Sequence, residues 1–167
     1  MNTLYTPLPV DIKKSVEFAA AITNGILTEL APKKGALSGG YEYIRGRDGA
    51  CLLLKKAGLP DPNKEDKYKR FALEKGERLH ANSPHLLSFQ SMDVELERYQ
   101  GASRMENGWI HSFSGLPSPT DEGLTMTVGV RAGWSSSGYA REVMQISDNV
   151  DHFLELHRLS KWVVSNM

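Results

Sequence analysis

The sequence predicts an α+β fold: an antiparallel sheet from two hairpins, flanked by helices, with a C-terminal helical extension. Two turn signatures, Gly46-Arg47-Asp48-Gly49 and Glu106-Asn107-Gly108, each separate short strand-like runs. Their Asp-Gly and Asn-Gly pairs supply the positive φ that a tight hairpin turn requires. Apolar residues recur at helical spacing around those hairpins. Finally, Ser118-Pro119-Thr120-Asp121 sets a hydroxyl at a cap, a proline at the first helical position and an acid three residues on. That is a helix-start signal.

Met1 to Val10 forms a lead-in in which Pro7 and Pro9 disfavour helix before them. Asp11 can cap a first helix carrying Ile12, Val16, Ala19, Ile26, Leu27 and Leu30 on one stripe, ended by Pro32 and Gly35. Gly39-Gly40 opens the first hairpin, with strands at Tyr41–Arg45 and Ala50–Lys56. The Gly58 to Asn63 segment is loop by composition. Asn63 with Asp66 resembles a cap for a second helix, whose mostly apolar face carries Tyr68, Phe71, Ala72, Lys75 and Leu79 and which stops near Asn82. His85 to Met92 reads as irregular or a short helical turn, and Asp93 to Tyr99 as a brief helix closed by Gly101.

The second hairpin pairs Ala102–Met105 with Trp109–Ser114. Beyond it two patterns compete. Leu124, Met126, Val128, Val130, Ala132 and Trp134 alternate as a strand would, whereas the cap and acidic first turn at Ser118–Asp121 argue helix. Ser137 can cap a helix over Tyr139–Ile146, and Asn149 a last helix bearing Phe153, Leu156, Leu159, Trp162 and Val163. Residues 1–167 form one domain, with 134–167 as the helical extension.

Twenty basic and twenty acidic residues cancel, which argues against bulk binding to a nucleic-acid backbone. A single cysteine, Cys51, excludes an intramolecular disulfide and suggests a reducing, cytoplasmic home. As a residue, Cys51 reads as a small buried hydrophobe of the second strand. Charged residues break up the first thirty positions, so no secretory leader is expected, and no run approaches a membrane span.

Several local motifs resemble the GlcG-like family, which includes haem-binding HbpS-type proteins and the C-terminal domain of PduO-type cobalamin adenosyltransferases. The motifs are Asp48-Gly49, the helix segment Phe71-Ala72-Leu73-Glu74-Lys75, Gly101 before the hairpin, Asn107-Gly108, Ser114-Gly115 and Asp121-Glu122. They extend over residues 11 to 133. The stretch from Asn82 to Tyr99, the helix after Ser118 and residues 134–167 depart from the family pattern. The resemblance implies helix for Pro119–Arg131, oligomerisation, and in some members binding of haem or a corrinoid-related group.

Five histidines, His80, His85, His111, His152 and His157, lack the spacing of a metal motif. The plain reading puts them at surface or helix-end positions. An axial haem ligand, however, needs only one imidazole beside an apolar slot. His111 shares a strand face with Trp109 and Phe113, so these three are candidates to line a slot for a flat ligand, with His111 as the metal ligand and His80 and His85 behind it. Arg45, Arg47 and Arg104 near the hairpin turns, with Lys55 and Lys56, are candidates to meet carboxylates. Gly35 to Gly40 lacks the Lys-Ser/Thr ending of a phosphate loop, and Ser112 to Gly115 does not complete a nucleophile elbow.

The leading expectation is a small-molecule-binding protein of GlcG-like type, with haem or a related tetrapyrrole as ligand and no recognisable catalytic motif. One alternative is a homo-oligomeric structural or regulatory protein joined through Trp162 and Phe153. Another is an enzyme using His85 or His111 as general base on a small metabolite. Whether the chain is an enzyme stays open at this level, and nucleic acid and membrane are not expected partners.

Overall fold

A computed structural model describes residues 11–33 and 35–167; the proline-punctuated lead-in, 1–10, lies outside them. The fold is α+β. Helix α1 (Ile12–Leu30) leads into strands β1 (Ser38–Arg45) and β2 (Cys51–Leu59), then helix α2 (Glu65–Ala81). After short 3-10 turns come β3 (Ala102–Arg104), β4 (Ile110–Ser114) and helices α3 (Ser118–Arg131), α4 (Ser137–Ile146) and α5 (Val150–Ser165). The strands form one antiparallel sheet in the order β2-β1-β4-β3, so the two hairpins meet along β1 and β4. Among the described residues no helix is long and apolar enough to cross a membrane.

Alternation along β4 sets the layers. Ser112 faces α2, donating its hydroxyl to Ala72 O at 2.6 Å, while His111 and Phe113 face α3. Helix α2 therefore covers one face of the sheet and α1 with α3 cover the other, with α5 packed over α1 and α3. The main core lies on the α1/α3 side, built from residues such as Ile22, Ile26, Ile44, Phe113, Leu124 and Phe153. A smaller cluster of Leu79, Ala102 and Ile110 lies under α2.

The first hairpin is longer than the sequence suggests, and Gly39 and Gly40 belong to β1 rather than preceding it. They do so because backbones meet there. A Cβ on Gly40 would lie 1.8 Å from Ser114 O, so only glycine lets β1 approach the turn that follows β4.

Between Pro119 and Arg131 the chain is helical, not extended. The alternating pattern misleads because every residue from Asp121 to Gly129 is buried, so apolarity carries no periodicity there.

Capping differs in detail from expectation. Asp11 does cap α1, accepting from Lys14 N at 3.3 Å. Asp61 rather than Asn63 serves the turn before α2, accepting from Asn63 N. Ser118 is the first residue of α3, not its cap, and Asp121 reaches back to accept from Leu116 N at 2.9 Å. Ser136, one residue ahead of Ser137, caps α4. Asn149 sits at the start of α5, but its amide donates to Pro119 O and Glu122 instead of capping. The helix expected over Asp93 to Tyr99 shrinks to Val94–Leu96, because Glu97 turns left-handed and Asp93 bridges to Arg98.

The C-terminal helices are part of the core. Phe153 is 1% exposed, and Gly25 of α1 lets α5 approach so closely that a Cβ there would meet Val163 Cγ1 at 2.4 Å. The apolar face of α5 is thus covered within the chain, which leaves Trp162, 54% exposed, outside it. Cys51, expected to be buried, is exposed on the edge strand β2.

Candidate ligand-binding cleft

Helices α2 and α3 lie on opposite faces of the sheet, and Lys75 joins them at the end of β4. Its ammonium donates to Phe113 O at 2.9 Å and to Asp121 Oδ2 at 3.0 Å, with both side chains only 2% exposed. Asp121 is fixed from behind by its bond from Leu116 N. Gly101 leaves room for the ammonium, since a Cβ there would lie 2.6 Å from Lys75 Nζ. Burial pushes the Asp121 carboxyl up to about 6, against the opposing pull of Lys75. Desolvation therefore outweighs the attraction between the two charges.

The pair borders a cleft of about 350 Å³ between α2 and the Ser114–Ser118 turn. Tyr68 and Phe71 of α2 supply one wall, Tyr99 another, and Leu116 with Pro117 the side towards α3. Phe71 and Tyr99 meet edge to face with centroids 5.2 Å apart. Lys67 stands at the cleft, its ammonium 5.6 Å from the Phe71 ring centroid. No histidine lines this cleft.

The next residue of α3, Glu122, is also buried. Its Oε2 accepts from Gln100 at 3.2 Å, Ser147 at 2.6 Å and Asn149 at 2.8 Å, and burial raises its pKa. This carboxylate ties the start of α3 to the α4–α5 junction and the segment before β3. It holds the cleft's α3 side in place.

The residues singled out from sequence are distributed elsewhere. His111 has no exposed surface: Nδ1 lies 3.2 Å from Thr125 O, and Nε2 lies 3.2 Å from Glu42 Oε1 without hydrogen-bond alignment. Phe113 is wholly buried in the core beside it. Trp109 packs on Trp134 with centroids 5.0 Å apart and borders a separate groove with Ile12 and Leu52. The shared face of Trp109, His111 and Phe113 exists, but α3 and Trp134 close it.

Arg45 and Arg104 flank Ile110 in one row of the sheet, and α2 occupies both. Arg45 pairs with Glu77 alongside the Tyr43 hydroxyl. Arg104 donates to Leu79 O at 2.7 Å and His85 O at 3.0 Å, serving the C-terminal end of α2. His80 and His85 are partly exposed at that same end, away from the Lys75 cleft. Among the described residues, no cluster of three or more His, Cys, Asp or Glu side chains could hold a metal.

Sequence reasoning named Lys75 and Asp121 only as parts of a helix face and a helix start. One signal was present: a lysine in the middle of an otherwise apolar helical stripe demands a buried partner.

Comparison with family models, with curated proteins and with solved structures finds no match to this chain.

Proposed function

We propose that this is a small-molecule-binding protein whose site is the cleft between α2 and the Ser114–Ser118 turn. The observation that carries the reading is the buried Lys75–Asp121 pair at its edge. A buried ion pair contributes little to stability and is often bettered by apolar residues of similar volume. Here burial already drives Asp121 upward despite its partner, so the pair is costly to keep. Placed beside a concave, aromatic-walled opening, it supports a role in recognising something that enters.

The GlcG-like resemblance implies haem in some members, but this cleft has no imidazole to offer a haem iron. The imidazole best placed by sequence, His111, is sealed between Glu42 and Thr125, and the cleft offers no other. The reading therefore stops at a small organic ligand, without a metal centre.

The test is a fragment screen on the full chain by amide NMR, using neutral, anionic and cationic fragments. The expected result is a set of hits whose shifts concentrate at Lys67–Lys75, Tyr99 and Gly115–Ser118. Hits confined to other surfaces, or none at millimolar concentration, would remove the proposal.

A homo-oligomer is a second reading, favoured by the single observation that Trp162 stands 54% exposed on α5. Light scattering across a concentration series decides it, because a monomer throughout contradicts it.

A further inference from the structure

We infer that the cleft takes a small monoanion: a carboxylate carried on a flat, apolar body. This rests on reading the cleft as the binding site and goes beyond it by fixing the sign of charge and the shape of the ligand.

The sign of charge follows from what faces the opening. Lys67 and Lys75 border the cleft with Asp121 as the one lining carboxylate, while the neighbouring Glu122 is turned away to Gln100, Ser147 and Asn149. Lys67 pairs with no carboxylate among the described residues and is held instead over the Phe71 ring. An ammonium over an aromatic face keeps its charge available to a second partner.

Donors without acceptors point the same way. An ammonium has three N–H groups. Lys75 spends one on Phe113 O and one on Asp121, so a third is left to a side chain 2% exposed and bordering the cleft. The Asp121 oxygens, in contrast, already accept from Lys75 and Leu116 N. The unfilled need at the base is thus for an acceptor.

Shape follows from the walls. Tyr68 and Tyr99, both partly exposed, present ring surface over the buried Phe71, and Leu116 closes the opposite side, so a planar apolar body makes the largest contact. A second anionic charge would have to be buried close to the Asp121 and Glu122 carboxyls, so dianions are disfavoured.

The experiment is calorimetric titration of the full chain with benzoate, benzamide and benzylamine, which share one ring and differ in charge. Benzoate is expected to bind saturably, about tenfold tighter than benzamide, with no binding of benzylamine. Lys67→Met, an exposed change that leaves the fold intact, is expected to weaken benzoate several-fold and to leave benzamide unchanged. Benzamide or benzylamine binding as well as benzoate would overturn the inference while leaving the cleft a binding site. No binding by any of the three also overturns it. In that case hits at Gly115–Ser118 in the fragment screen would show that the cleft still binds something else, and their absence would remove both readings.

Discussion

Two buried pairs of titratable side chains lie against the same sheet and have opposite relations to solvent. Glu42 and His111 sit diagonally on neighbouring strands, closed over by α3 and Trp134. Lys75 and Asp121 meet where β4 ends, at the edge of a cleft of about 350 Å³. Both pairs are nearly inaccessible as side chains, so burial alone does not distinguish them. What differs is the neighbourhood: one pair has packed protein on every side, the other an opening walled by Tyr68, Phe71 and Tyr99. A titratable group in a dry interior serves the fold, whereas one beside a cavity can serve a ligand.

Breaking the sealed pair has the largest expected effect. His111→Ala removes a fully buried ring from beside Glu42 and opens a cavity in the core, at a loss of about 4 kcal/mol in urea unfolding. Benzoate affinity per folded molecule stays unchanged. A His111 variant that keeps its stability but loses binding would reverse the assignment of roles.

Breaking the open pair costs less and depends on pH. Lys75→Met removes the only cation bonded to Asp121 among the described residues, with an expected loss of about 3 kcal/mol at pH 7. That loss shrinks towards pH 5, because the carboxyl, already raised to about 6 by burial, takes up a proton. In the wild-type chain the sign is fixed by linkage. A carboxyl at 3.8 when unfolded and about 6 when folded contributes stability fully below the former value and loses it as pH rises through the latter. A Lys75→Met penalty independent of pH would contradict the raised value.

Arg104 sharpens the comparison from the side of the residues chosen by sequence. It serves carbonyls of Leu79 and His85, so Arg104→Ala costs about 2 kcal/mol in stability without affecting benzoate binding. The smallest effect is at Trp162, where Ala changes stability by less than about 0.5 kcal/mol because the ring is more exposed than buried.

The same contrast explains what could be seen in the sequence. Turn chemistry is local, so Asp48-Gly49 and Asn107-Gly108 announced both hairpins, and helical spacing announced α1, α2 and α5. The path of α3 was ambiguous because burial on all sides erases its periodicity. Site residues fared worse for a different reason. His111 drew attention through the versatility of imidazole and its two aromatic neighbours, but only the docking of α3 shows that this face is closed. Lys75 and Asp121 are 46 residues apart, and nothing local to either announces the other. Arg45 and Arg104 looked like a cationic rim until α2 was placed over them, with Glu77 and the helix carbonyls as their partners.

The most direct test is the double substitution Lys75→Met with Asp121→Asn, which removes both charges and keeps an acceptor for Leu116 N. If the pair is retained for the cleft rather than for the fold, urea unfolding at pH 7 gives a stability equal to wild type or above it. A loss of about 3 kcal/mol or more, matching the Lys75 single variant, would show instead that the two charges hold the fold together.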